Sequence, residues 1–349
     1  DMKKLSKKWF LKQEISVRRE LICKGRQSNR KDDFKENKSI VLPVAFTFQN
    51  DRCRKVILKT ISLIKNNQNP GANDVLYLDF NKVETLYAPA TIFFAHNLEK
   101  YKKVKINARA SNKSNVVRAM ITRLGLNEIL GLKACHSTHE MMNWHTFTGT
   151  DLTFGEDYNR IEKILEENLD DETFLIVNDA ISEAVSNVLN HAYEKNQRHL
   201  GWKVSLKVTD EYLSLVITDL GKSIPATVPD KIDDHMKNRL SNLFDFTNFL
   251  GMDDAQLIDV ASEFRRTSTK EKHRGKGFGD MLEVCKTVKN SNLIVYSRKG
   301  IWMSNGLDLK KMCNYKDKID GTIIFWKLPL NSPPTTQSVN SNDVGDGHE

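Results

Sequence analysis

Apolar and polar positions change period several times along this chain, and those changes divide it into elements. IVLPVAFTF (40–48) reads as a strand. RKVILKTISLIKN, with Val56, Ile57, Ile61 and Ile64 at helical spacing, reads as a helix. After the loop NNQNPGAND, VLYLDF alternates as a strand, APATIFFAHNLEKY predicts a helix with Pro89 near its first position, and KVKINA is a further strand. SNKSNVVRAMITRLGL predicts a helix capped by Ser114 or Asn115 and stopped by Gly125. Strands alternating with helices over short connections predict one small α/β unit over residues 39–133. Residues 134–152 carry no clear period and read as an irregular linker.

From residue 153 the order is different. Two helices (EDYNRIEKILEENL and ETFLIVNDAISEAVSNVLNHAYEK) precede the strands GWKVSLKVTD and EYLSLVITDL, which a tight Thr-Asp-Glu turn joins. A polar, helical insertion covers roughly 222–272. A glycine-rich stretch then leads into helix GDMLEVCKTVKN, and NLIVYSRKG, IWMSN and GTIIFWKLPL read as the closing strands. This order predicts an α/β sandwich over 153–330, a mixed sheet with helices on one face. The expected class is thus α/β (α+β), a small α/β unit followed by a sandwich.

Composition changes the picture at the ends. The chain has 349 residues, a formal charge of +8 and 53 Lys+Arg against 45 Asp+Glu. Residues 1–38 hold 13 Lys/Arg and 6 Asp/Glu, so the rest of the chain is nearly neutral. A uniformly basic nucleic-acid-binding body is disfavoured, and residues 1–38 read as a basic arm. Residues 331–349 have almost nothing to bury and read as a disordered tail. Five scattered cysteines without C-x-x-C, no apolar run of membrane-spanning length and no signal-peptide core predict a reducing cytoplasm. Cys135, His136, His139 and His145 cluster in the linker, but their spacing fits no standard zinc pattern.

Chemistry concentrates in the second half. Glu183, Asn187 and His191 fall at i, i+4 and i+8 on a helix whose other face is apolar. A carboxamide oxygen there can ligate Mg²⁺, and a carboxylate one turn away can activate a nucleophile. Asp219 ends an apolar strand and is followed by Leu220-Gly221. Gly275, Gly277 and Gly279 alternate just before the helix expected from Asp280, where backbone N–H groups can close on phosphate oxygens. Gly321-Thr322 opens the last strand.

In this order the four elements resemble the GHKL (Bergerat-fold) ATP-binding domain of histidine kinases, gyrase-type topoisomerases, heat-shock chaperones, mismatch-repair ATPases and anti-sigma-factor serine kinases. EAVSNVLNHAY is similar to the N box of the serine-kinase group, where a His follows the Asn by four. DLGKSIP and RGKGFGDM resemble the two glycine boxes, the second preceded by Thr267, Ser268 and Thr269. The resemblance implies Glu183 as general base, Asn187 as Mg²⁺ ligand with His191 beside it, and Asp219 as acceptor for the adenine amino group. It further implies that Gly221 shapes the turn beside the base and that Thr322 supports adenine recognition. Gly275, Gly277 and Gly279 would cradle phosphate, with Arg274 and Lys276 as partners. Ser223 departs from the family's D-x-G-x-G pattern at its second glycine, which puts the local backbone geometry in question.

The 39–133 unit resembles a STAS domain, the fold of anti-sigma-factor antagonists, through VLYLDFNKVETLYAPATIFFAHNL and SNVVRAMITRLGL. Its phosphoacceptor serine is missing: Tyr87-Ala88-Pro89-Ala90 stands at the helix start, which implies docking or dimerisation instead of a phospho-switch. Together the resemblances imply a Mg·ATP-binding regulator with a protein partner, acting by lid closure with slow hydrolysis or transfer to a partner Ser/Thr. The alternatives are a non-catalytic ATP-sensing subunit, a homodimer through the first unit, and an ATP-gated clamp that touches nucleic acid through residues 1–38. No long coiled-coil helix precedes residue 153, which disfavours a histidine autokinase.

Overall fold

The computed structural model describes residues 39–68, 75–101, 103–110, 114–135, 144–151, 155–232, 234–263 and 278–330. The arm, the tail, and Arg274, Gly275, Lys276 and Gly277 lie outside the described residues. In the first unit Pro43, which has no N–H to donate, divides the first apolar run into β1 (Ser39–Val41) and β2 (Ala45–Phe46), which join different sheets. Helix α1 (Asp51–Asn66) is capped by Asn50, whose side chain accepts from Cys53 N at 3.0 Å. Strands β3 (Val75–Asp79) and β4 (Thr85–Leu86), helix α2 (Ala88–Lys100), strand β5 (Lys105–Arg109) and helices α3 (Asn115–Arg123) and α4 (Leu126–Ile129) complete it. Ser114 caps α3, and Gly125, at φ +69°, ends it. The pairings are parallel, β1-β3-β5 in one sheet and β2-β4 in another.

The expected linker contains a strand. β6 (Trp144–Gly149) is the edge of a five-stranded sheet ordered β6-β7-β8-β10-β9, with Phe147 packed edge-on against Trp202. The aromatic and β-branched run WHTFT carries it. Helices α5 (Gly155–Asn168) and α6 (Asp171–Asn187), then hairpin strands β7 (Trp202–Val208) and β8 (Tyr212–Asp219), follow. The insertion holds short helices α7 (Ile224–Thr227) and α8 (Asp234–Leu240) and the longer α9 (Asp254–Glu263). It has a small core of its own around Val228, Leu240, Leu257 and Val260. α9 is tied to the sheet by Trp302 Nε1, which donates to Asp259 at 2.8 Å, and by Lys310 with Asp259 and Glu263.

Helix α10 (Phe278–Thr287) follows, with Phe278 and Gly279 already helical. β9 (Asn292–Ser304) and β10 (Lys310–Pro329) form one long hairpin. Gly300 does not break β9, as the sequence had suggested. A side chain there would meet the backbone of Ala255, so the glycine permits α9 to approach.

One expectation for the sandwich is corrected. Every pairing in this sheet is antiparallel, because its strands follow one another through hairpins and returns; parallel pairs occur in the first unit alone among the described residues. The sandwich's own helices share one face, and the first unit covers the other. α6 and α10 pack on one face, while α1 and α2 of the first unit pack across β10 and β8 on the other. All of Leu213–Leu220 is therefore buried, and one apolar core runs from Leu42 to Leu328.

The seam between the units is polar. Lys203 is buried against Glu99, with Nζ at 2.8 and 3.0 Å from the two carboxylate oxygens. His96, fully buried, sits between Thr218 Oγ1 (2.9 Å) and the Leu200 carbonyl (3.2 Å). Arg54 donates to the carbonyls of Asp317 (2.7 Å) and Arg298 (2.5 Å) at the β9–β10 irregularity, and burial pulls its pKa down to about 10. Among the described residues no helix is long and apolar enough to cross a membrane.

Candidate functional site

The site starts at the end of α6. Asp170 caps that helix, accepting from Thr173 N at 2.9 Å, and the buried stripe Val177, Ala180, Ile181, Ala184 and Val185 fixes its rotation against the sheet. Glu183 and Asn187 are half-buried neighbours one turn apart. Asn187 Nδ2 donates to Glu183 Oε1 at 3.1 Å, which turns the amide oxygen away from the carboxylate. After Asn187 the helix widens into a π turn, Val188–Ala192, which carries the exposed His191. Such turns leave helical register and recur where a side chain must be re-aimed. The even i, i+4, i+8 stripe therefore ends at Asn187.

The β8 end packs directly on this turn. Lys222 N donates to Ala192 O at 2.6 Å, and a Cβ on Gly221 would lie 2.2 Å from the same oxygen. Only glycine fits that approach. Ser223, by contrast, has φ −76° and ψ 157°, open to any residue, so the missing second glycine costs nothing here.

Asp219 is the buried carboxylate of the site. Gly221 N donates to its Oδ1 at 2.9 Å, and the Thr322 N–H and hydroxyl also donate to it. Burial nevertheless pushes its pKa up to about 7, since these neutral donors offset only part of the desolvation. Behind Thr322, Ser297 Oγ lies 3.1 Å from Thr322 Oγ1 and accepts from Ile224 N at 2.9 Å. Tyr193, whose hydroxyl donates to Gly201 O and accepts from Leu220 N, pins the turn from the other side.

These elements enclose a cavity of about 120 Å³ lined by Asn187, His191, Asp219, Lys222, Phe278 and Thr322, among others. Four residues singled out from sequence, spread over 135 positions from Asn187 to Thr322, thus meet at one place. Glu183 and Gly221 support the wall without lining it, and Gly279 stands behind Phe278 in α10. Compared with known proteins, the chain matches no family model, and no curated protein matches it. The case for a function therefore rests on the residues themselves.

Sequence reasoning missed Lys222, Lys231 and Ser297. Lys222 was legible beside Gly221; it lines the cavity with Lys231, its ammonium 3.2 Å from a Glu194 carboxylate oxygen. Ser297 reaches the site only because β9 pairs it with Thr322, which no local pattern announces. Among the described residues no three His, Cys, Asp or Glu side chains could hold a metal together. The Asn187 amide oxygen, turned away from Glu183, is a single hard oxygen donor at the cavity. A donor of that kind is one Mg²⁺ can take.

Proposed function

We propose that this chain is a Mg·ATP-binding regulator of the GHKL type, carrying a STAS-like unit on the back of its nucleotide-binding sheet. The observation that carries this reading is the meeting of Asn187, Asp219 and Thr322 at one cavity, with a glycine-rich segment leading into the helix that supplies Phe278. Asp219 with Thr322 offers a buried acceptor backed by a hydroxyl, suited to the amino edge of a purine. Lys222 and Lys231 offer charge to the phosphates. Asn187 would hold Mg²⁺, which when bound supplies charge neutralisation of the phosphates, and Glu183 one turn away would act as the base. A cavity of about 120 Å³ is below the roughly 300–1,000 Å³ of ligand clefts, so nucleotide entry would require the neighbouring insertion to open. That movement, relayed to a protein partner, is the proposed output.

A second reading, ATP sensing without chemistry, is favoured by the position of Glu183, which does not line the cavity and bonds to Asn187. Labelled ATP with Mg²⁺ separates the two. Binding is expected for the whole chain and is lost in Asn187→Ala; undiminished binding by that variant overturns the assignment. Phosphate release that stops in Glu183→Ala while binding persists marks an ATPase or kinase, and absence of release from the unaltered chain marks a sensor.

A further inference from the structure

The opposite face of the sheet carries a second cavity, of about 330 Å³, that shares no lining residue with the first. One cross-strand row forms its floor. Trp144, Lys207, Ser214, Lys327 and Asn292 are successive partners across β6, β7, β8, β10 and β9, so all five side chains leave the sheet on the same side. All five line the cavity.

Two lysines in that row face the space, and one of them, Lys207, has little to neutralise it. Lys207 is only 8 % exposed, and among the described residues no hydrogen bond or ion pair holds its ammonium. Burial and the neighbouring Lys327 both depress its pKa. Lys327 lies with Nζ 4.0 Å from the Tyr212 ring centroid and is favoured in its charged form by Glu211.

The roof is the start of α2. Tyr87, Ala88, Pro89 and Ala90 line the cavity, Tyr87 provides no side-chain cap, and the first turn holds no acidic residue. The positive end of a 13-residue helix thus opens toward the lysine row. The remaining wall mixes apolar Phe48, Met120 and Phe325 with polar Thr47, Gln49 and Tyr296, and Val116 is exposed among the lining residues.

We propose that this inter-unit cavity binds a small amphipathic anion, a carboxylate or phosphate group on an apolar body. Its head would sit between Lys207, Lys327 and the first N–H groups of α2. Because the cavity lies between the two units, such a ligand would tie the first unit to the sheet.

The test uses the full chain and three probes of one shape: phenyl phosphate, phenylacetate and neutral benzyl alcohol, followed by calorimetry. One or both anions are expected to bind at least tenfold more tightly than benzyl alcohol, and the better anion identifies the head group. Lys207→Gln and Lys327→Gln should each weaken the anion about tenfold or more and leave benzyl alcohol unchanged. If either variant fails to fold, Ser214→Leu, which fills the centre of the row and removes no charge, should block the anion. No anion binding at millimolar concentration, equal binding of the neutral probe, or binding indifferent to these changes would overturn the proposal.

Discussion

Gly321, at φ +87°, lies so close to Asp219 that a Cβ on it would sit 2.2 Å from the Asp219 carbonyl oxygen. The close approach brings Thr322 onto the Asp219 carboxylate. Gly321→Ala combines a left-handed backbone penalty with direct overlap on backbone, and should cost about 2–4 kcal/mol. Gly279→Ala is the contrast, since among the described residues a Cβ there meets nothing within 4 Å and the residue is helical. It should be stabilising by about 0.5–1 kcal/mol. Urea unfolding of both variants checks the pair; equal stabilities would show that the Asp219–Gly321 contact is relaxed.

Two buried groups should make opposing contributions to acid stability. His96 is held neutral, its pKa pulled down to about 3 first by burial and then by Lys203. The unfolded chain takes up that proton near pH 6.5, so stability falls by about 1.4 kcal/mol per unit as pH drops from 6.5 toward 3. Asp219, raised to about 7, takes up its proton in the folded state first, so stability rises by a similar slope as pH drops from 7 toward 4. Between pH 4 and 6.5 the two slopes largely cancel. Relative to the unaltered chain, Asp219→Asn should lose stability on acidification and His96→Gln should gain it. Parallel stability–pH curves for all three would refute the compensation.

A polar seam joins the units beside their shared apolar core. Removing Glu99 leaves the Lys203 ammonium buried without its carboxylate, and Glu99→Ala should cost about 3–5 kcal/mol. Replacing both partners, as in Glu99→Leu with Lys203→Met, should recover most of that loss, because no charge is then stranded. A double-mutant cycle measured by denaturant unfolding reads the difference. If the double variant is no more stable than Glu99→Ala, the seam depends on the shape of this ion pair and not on its charge.

Much of this site could be seen in the sequence because it follows the chain locally. Asp219 ends an apolar strand, Gly221 follows it, and Asn187 stands on a helix with a clear buried stripe. What could not be seen depends on what covers a surface. Lys203, Ser205, Lys207, Ser214 and Thr218 alternate with apolar residues, which announces a two-faced sheet but not that α1 and α2 bury the polar face. Gly300 read as a stop because a glycine in a strand looks the same whether it ends the strand or admits α9. The π turn after Asn187 also has no signature in VLNHA; it arises where α6 must clear the turn at Gly221.

If Asp219 accepts from a purine amino group, its elevated pKa gives nucleoside binding a definite pH dependence. At pH 7 the buried carboxylate is close to half protonated, and only the ionised form accepts that hydrogen bond on both of its oxygens. Binding should pull the pKa down and release a proton. Adenosine is the suitable probe, because it carries no phosphate that titrates near neutrality. Its affinity should fall about tenfold per unit below pH 7 and level off above it, a slope that follows from single-proton linkage. Asp219→Asn should remove the slope, and calorimetry in buffers of different ionisation enthalpy should show the released proton disappearing with it. An adenosine affinity that stays flat from pH 5.5 to 8 would mean that Asp219 does not meet the base, and would leave it as the buried anchor of Gly221 and Thr322.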